Sequence, residues 1–125
     1  MAKRLMICDD SMLMRKMVAE ALIDDGWEVV AEASDGAEAF DLYQQHRPDA
    51  VTMDIVMPGT DGIVALVNIM QFDPQAKVVV VSALNQTKLI SDAIRKGAQD
   101  FIAKPFLPET LQTTLAGCVQ ETAAV

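Results

Sequence analysis

Residues 51–62 read VTMDIVMPGTDG. Val51, Met53, Ile55 and Val56 form an apolar run of the kind seen in a strand covered on both faces, with Asp54 inside it. Pro58, Gly59 and the Asp61-Gly62 pair then break the run into a turn. A carboxylate is costly to remove from water unless something pairs it. Asp54, at the end of such a strand, therefore demands a compensating group from elsewhere in the chain.

Moving outward from this stretch, the same pattern recurs. Apolar runs stand at 4–8 (RLMIC), 28–33 (EVVAEA), 50–53 (AVTM), 77–82 (KVVVVS) and 100–103 (DFIA). Segments of helical period lie between them. Met14, Met17, Val18, Ala21 and Leu22 fall on one helical face, with Arg15, Lys16, Glu20 and Asp24 on the other and Gly26 as the stop. A second helix is predicted over 37–45, ended before Pro48, and a third over 63–72, ended before Asp73-Pro74. A fourth is predicted over 86–96, ended at Gly97, with Ile90, Ala93 and Ile94 buried. The last follows Pro108 with Leu111, Leu115 and Cys118 in register. Its threonines and Gly117 are weak helix formers, and the tail from about residue 120 to 125 is expected to fray. The alternation implies an α/β fold: (βα)5, one five-stranded parallel sheet with helices on both faces, in a single domain over 1–125.

Composition narrows the function classes. A chain of 125 residues is long enough to bury about two-thirds of its unfolded surface, so it needs no disulfide or structural metal to fold. The net charge of −8 argues against nucleic acid or an anionic membrane as partner and favours cations or basic proteins. Cys8 and Cys118 sit in apolar settings with no Cys-x-x-Cys, which fits two buried thiols in a reducing cytoplasm. The run LMIC stops at Asp9, too short for a signal peptide, and no stretch approaches the ~20 apolar residues of a membrane span. Nucleotide-binding readings lack their glycine-rich motifs.

In a parallel sheet all strand C-termini lie on one edge, and ligands bind in the crevice outside that edge, where strand order reverses. The first strand ends in Asp9-Asp10, the third in Asp54, the fourth in Ser82 and the fifth in Lys104, while the second offers nothing special. Singly, each has an ordinary explanation. Asp9, Asp10 or Ser11 can cap the first helix, Asp54 can be a turn residue, Ser82 a cap and Lys104 solvated. Jointly, three acids, a hydroxyl and an ammonium converge on one edge. Two carboxylates ~5 Å apart at an effective dielectric of ~20 repel by about 3 kcal/mol. One lysine cannot offset three such charges, whereas a hard divalent cation can. Oxygen ligands with room for water favour Mg²⁺. Mg²⁺ beside a lysine and a hydroxyl also makes a phosphoryl site, in which a carboxylate can be the attacking nucleophile.

The ordered set DD after strand one, MD before MPGTDG, SA after strand four and KPF after strand five resembles the response-regulator receiver domains over roughly residues 3–120. VTMDIVMPGTDGIVAL and GAQDFIAKPF are similar in particular to the stand-alone chemotaxis regulators of the CheY type. That resemblance implies a doubly wound, flavodoxin-like sheet of order 2-1-3-4-5. It implies Asp54 as phosphoacceptor, and Mg²⁺ held by Asp9, Asp10, Asp54 and the backbone carbonyl of Val56. Lys104 would pair with the phosphoryl group, Ser82 would hydrogen-bond to it, and Phe101 would report the switch. It also implies a cis Lys104-Pro105 bond. Val56 and Leu84, apolar here, would flank the path of attacking water and bear on the lifetime of the phosphoryl group. His46, near a helix end, is read as a surface residue, and the methionines at 12, 14 and 17 as core or helix surface.

The resulting expectation is a cytoplasmic, monomeric, phosphorylation-controlled switch and not a turnover enzyme. Its phosphodonor would be a histidine kinase. Its output partner would be the flagellar motor switch or another protein, with a phosphatase as a further partner. Two alternatives stand beside it. One is a receiver trimmed from a longer, for example DNA-binding, regulator. The other is an aspartate-nucleophile phosphohydrolase, against which Val56 speaks, since such enzymes carry a second acid two residues after the nucleophile.

Overall fold

Short β-branched and apolar runs alternate with helical segments along the whole chain, and each run becomes a strand. In the computed structural model, which describes residues 3–57, 62–83 and 85–123 (the side chains of 120–123 excepted), the elements are β1 (Lys3–Cys8), α1 (Met12–Ile23), β2 (Trp27–Ala33), α2 (Gly36–His46), β3 (Ala50–Met53), α3 (Gly62–Phe72), β4 (Val78–Ala83), α4 (Thr87–Arg95), β5 (Asp100–Lys104) and α5 (Pro108–Ala123). All strand pairs are parallel, in the order β2-β1-β3-β4-β5. The doubly wound, flavodoxin-like arrangement is therefore the observed one. Strand order reverses between β1 and β3, which places the crevice outside their carboxyl ends.

Strand periodicity divides the core in two. Met6, Cys8, Val51, Met53, Val78 and Val80 face one side and are covered by Ala39 and Tyr43 of α2, Leu66 and Ile69 of α3, and Ile90 and Ala93 of α4. Leu5, Ile7, Ala50, Val79, Val81 and Ile102 face the other and are covered by Val18 and Leu22 of α1 and by Leu111, Leu115 and Cys118 of α5. Alternate residues of one strand point to opposite faces, so the central strands are buried on both sides. All four residues of β3 are buried. Cys8 and Cys118 are both buried.

The helix ends are set by local chemistry. Ser11 caps α1, its hydroxyl accepting from Met14 N at 3.2 Å. Asp35 caps α2 by accepting from Glu38 N at 2.9 Å, while the Glu38 carboxylate reaches back to Ser34 N at 2.7 Å. Arg47 closes α2 in the left-handed region, just before Pro48. Gly26 and Gly97 follow α1 and α4 with φ of +86° and +118°, values a β-carbon disfavours.

Three sequence expectations change. Ile94 of α4 is 42 % exposed and lies outside the core. The helix meets the sheet at β4 along a narrow stripe, which Ile90 and Ala93 fill. Met17 of α1 is also 42 % exposed, on the flank of a face formed by Val18, Ala21 and Leu22. The backbone of α5 is helical to Ala123, further than its weak formers suggested. Residues 124–125 of the expected frayed tail lie outside the described residues, as do Leu84 and the turn at Pro58, Gly59 and Asp61.

Candidate functional site

Register brings the acids together. Cys8 of β1 pairs with Met53 of β3, so the next residues, Asp9 and Asp54, leave the sheet side by side. The ladder continues one step beyond the strands: Asp54 N donates to Cys8 O at 2.9 Å, and Asp9 N donates to Ala33 O at 3.0 Å. Both carboxylates are thereby held at the mouth of the sheet, and both residues are buried. Asp10 is exposed beside them. One ligand oxygen from each of Asp9, Asp10 and Asp54 can be chosen so that all lie within 4.8 Å of one another.

The compensating group arrives from the far edge. Lys104 ends β5, and its Nζ lies 2.8 Å from Asp9 Oδ2 and 3.0 Å from Asp54 Oδ2. Lys104 is thus the group that pairs Asp54, and it bridges the two buried acids. Burial draws the ammonium towards deprotonation, but the hydrogen bonds and charges of Asp9 and Asp54 outweigh it and hold its pKa above the ordinary value. Burial also raises Asp54 above the usual carboxylate range. The hydrogen bonds from Val56 N and Lys104 pull against that shift, and the charge of Asp9 adds to it. Among the described residues Lys104 is the one cation ion-paired with these carboxylates, which leaves the three acids electrostatically short of positive charge.

The backbone around Asp54 is equally constrained. Val56 N donates to Asp54 Oδ1 at 3.0 Å, and the Val56 side chain is 50 % exposed. Gly62, the first residue of α3, donates to Ile55 O at 3.2 Å. A β-carbon there would stand 2.3 Å from Asp54 O and 2.5 Å from Ile55 Cα, so only glycine fits. The first turn of α3 therefore rests directly on the peptide that carries Asp54.

Ser82 is buried in β4 and pairs with Ala103, one residue before Lys104. Phe101 lies three residues before Lys104 on β5. It pairs with Val80, is 39 % exposed, and faces the side of the strand opposite to buried Ile102. The Lys104-Pro105 peptide bond is cis, as the resemblance implied. The structure therefore assembles Asp9, Asp10, Asp54 and Lys104 into one cluster. Ser82 stands at the end of the adjoining strand, and Phe101 is displaced along β5.

Two residues near the cluster escape a reading of the sequence. Arg15 was assigned to the solvent face of α1, yet its side chain is only 17 % exposed. Its Nη1 donates to Asp9 O at 2.7 Å, and its Nε donates to Glu32 Oε1 at 3.0 Å. The second strand, expected to bring nothing special, brings Glu32 to this network. The competition to cap α1 is also resolved. Ser11 is the cap, and its N–H donates to Asp9 Oδ1 at 2.9 Å, which leaves Asp9 Oδ2 to Lys104. His46 is half-buried, its carbonyl accepting from Arg4 Nη1 at 2.6 Å, and belongs to no such cluster.

An oxygen-only triad with a bridging lysine suits a small divalent cation with bound water, and the donor set fits Mg²⁺. Comparison with known proteins agrees in family. The chain is 52 % identical over 106 residues to the chemotaxis protein CheY of Bacillus subtilis, covering 85 % of this chain and 88 % of that one. It is 45 % identical over 115 residues to the chemotaxis protein CheY of Thermotoga maritima, covering 92 % and 96 %. Among solved structures, a chain of the CheX–CheY–BeF3–Mg complex of Borrelia burgdorferi superposes with a TM-score of 0.87 at 37 % identity, covering 92 % of this chain and 87 % of that one. The family model for the response regulator receiver domain matches residues 5–116. With its sheet order, its carboxyl-edge cluster and that match over most of its length, the chain belongs to the response regulator receiver domains.

Proposed function

We propose that Asp54 accepts a phosphoryl group from a histidine kinase and that the resulting acyl phosphate switches the affinity of this CheY-like receiver for an output partner. The observation that supports this most strongly is the position of Lys104, whose ammonium bridges Asp9 and Asp54 at 2.8 and 3.0 Å. In the transfer, a carboxylate oxygen of Asp54 attacks phosphorus while the bond from phosphorus to the donor breaks, and the donor leaves with its electron pair. Asp54 is suited to attack because Val56 N and Lys104 orient it. Lys104 then exchanges its bond to Asp54 for a phosphoryl oxygen, and the Ser82 hydroxyl donates to another. Asp9, Asp10, Asp54 and the carbonyl of Val56 would hold Mg²⁺, which supplies neutralisation of phosphoryl charge when bound. Phe101, half-exposed on the edge strand, would read the change through movement of Ser82.

The named relatives suggest chemotaxis as the setting, with the flagellar motor switch as output. The Borrelia relative was solved with CheX, so a protein of that kind is a candidate partner as well. No helix among the described residues is long and apolar enough to cross a membrane. A cytoplasmic, monomeric role fits that observation and the acidic surface. The deciding experiment is intact mass after incubation with Mg²⁺ and acetyl phosphate. One phosphate adduct is expected on the parent and none on Asp54→Asn. A full-stoichiometry adduct on the variant overturns the assignment of Asp54.

A further inference from the structure

We infer that Arg15 is a positioning residue for the acidic cluster: it clamps the Asp9–Asp10 peptide and thereby sets the direction of the Asp10 carboxylate towards Mg²⁺. The inference rests on the reading of Asp9, Asp10 and Asp54 as the cation site and adds to it a residue that never touches the ion.

The geometry runs through a single peptide plane. The Asp9 carbonyl, the Asp10 nitrogen and the two α-carbons share one rigid plane. Arg15 Nη1 holds that carbonyl at 2.7 Å. Rotation of the plane about the Asp9 Cα–C bond would swing Asp10 Cα, and with it the exposed Asp10 carboxylate. Every other polar group of Asp9 is already engaged: its N–H with Ala33 O at 3.0 Å, Oδ1 with Ser11 N at 2.9 Å and Oδ2 with Lys104 Nζ at 2.8 Å. Asp10 has no comparable set of holds among the described contacts, so the carbonyl clamp is its main restraint. Glu32 completes the device by accepting from Arg15 Nε at 3.0 Å. It fixes the guanidinium from β2 while Arg15 Nη1 reaches β1. Arginine suits this role because its planar fork presents donors at a fixed angle, whereas a lysine ammonium cannot hold two acceptors, one just past β1 and one on β2, with the same rigidity.

The sign of the expected effect separates positioning from plain charge. A guanidinium close to three acids repels an incoming cation. If charge were its only influence, Arg15→Ala would bind Mg²⁺ more tightly and Arg15→Lys would bind it as the parent does. Positioning predicts the reverse: both variants bind Mg²⁺ more weakly, by about tenfold, the loss usual when a group that orients metal ligands is removed. The phosphorylation rate with acetyl phosphate should return to within about twofold of the parent when Mg²⁺ is raised to saturation, since the nucleophile and Lys104 are untouched. A mere loss of stability would shift the Mg²⁺ requirement only if the metal-free variant were partly unfolded at the assay temperature, which the melts decide.

The test is isothermal titration of the metal-free full chain with Mg²⁺, for the parent, Arg15→Lys and Arg15→Ala, with circular dichroism melts to establish folding. Arg15→Lys keeps the charge and the aliphatic stem and is the variant to rely on should Arg15→Ala unfold. Weakened binding in Arg15→Lys, cured by excess Mg²⁺ in the phosphorylation assay, supports the inference. Parent-like affinity in Arg15→Lys, or tighter binding in Arg15→Ala, overturns it. If the parent itself binds no Mg²⁺, the cation-site reading fails instead, so the two failures are distinguishable.

Discussion

Two carboxylates, Asp54 and Asp73, stand at opposite ends of the sheet, one at the carboxyl end of β3 and the other between α3 and the start of β4, and have opposite surroundings. Asp73 follows α3. Its Oδ2 accepts from Tyr43 OH at 2.7 Å, its Oδ1 accepts from Gln75 N at 3.0 Å, and its own N–H donates to Ile69 O at 2.8 Å. One negative charge is met there by neutral donors, under an aromatic lid in which Phe72 lies edge-on to Tyr43 and to Phe40. Burial, the hydrogen bond to Asp73 and the charge of Asp73 all push the Tyr43 phenol up, so the donor keeps its proton. Asp54 instead shares the Lys104 ammonium with Asp9, beside Asp10, and its pKa is raised. The first arrangement is closed and stabilises the fold. The second is held together geometrically while its charges remain unbalanced, which is the condition for binding a cation and a phosphoryl group.

The sharpest way to break the comparison is Asp54→Asn. It should abolish phosphorylation by acetyl phosphate, as read by intact mass. It should also leave the metal-free protein as stable as the parent or more so. The folded-state pKa of Asp54 is raised, so the stability linked to its protonated form is present below the ordinary carboxylate range. That stability is lost as pH rises through the folded value. At neutral pH the ionised group opposes folding, and the amide removes that opposition. The gain from Asp54→Asn should shrink as the pH is lowered into the carboxylate range. A large fall in melting temperature at pH 7 would refute the imbalance.

Asp10→Ala should come next in size. It removes one of the three acids and should weaken Mg²⁺ binding by at least about tenfold, measured by calorimetry, with little loss of stability because the side chain is exposed. A titration like the parent's would place the cation elsewhere. Tyr43→Phe tests the closed region. It strips a charged acceptor of its donor and should cost about 2 kcal/mol in urea unfolding, with Mg²⁺ affinity unchanged. Coupling of that variant to Mg²⁺ affinity would mean the two regions are not independent. The smallest effect belongs to Thr52, two residues before Asp54, whose hydroxyl is buried with no hydrogen-bond partner among the described residues. Thr52→Val should stabilise the protein by about 1 kcal/mol and leave phosphorylation alone. A loss of stability would mean that the hydroxyl is satisfied in solution.

Much of this was legible from residue order. The five apolar runs marked the five strands to within a residue or so at each end; the central β1, β3 and β4 were plainest, because strands buried on both faces are nearly continuous in apolar character. Asp9, Asp10, Asp54 and Lys104 were legible as one cluster because parallel strands send all their carboxyl ends to one edge. Ile94 was misplaced because helical periodicity reports which residues share a face and not how wide a stripe the sheet can cover. The last turn of α5 was missed for a related reason: packing of Leu111, Leu115 and Cys118 against the sheet outweighs weak intrinsic propensity.

What the sequence determined by itself is the alternation of elements and the identity of the polar residues that end them, since both follow from local period and from the desolvation cost of charge. What only the tertiary structure decided is which of those residues meet. Lys104 and Asp9, 95 positions apart, are joined at 2.8 Å through a strand order that no local signal contains. Arg15 looked like a solvated helix residue because the partners that draw it in, Asp9 O just after β1 and Glu32 of β2, belong to other elements. A backbone carbonyl has no signature in sequence, and the direction of a long side chain depends on acceptors that exist only once the strands are side by side.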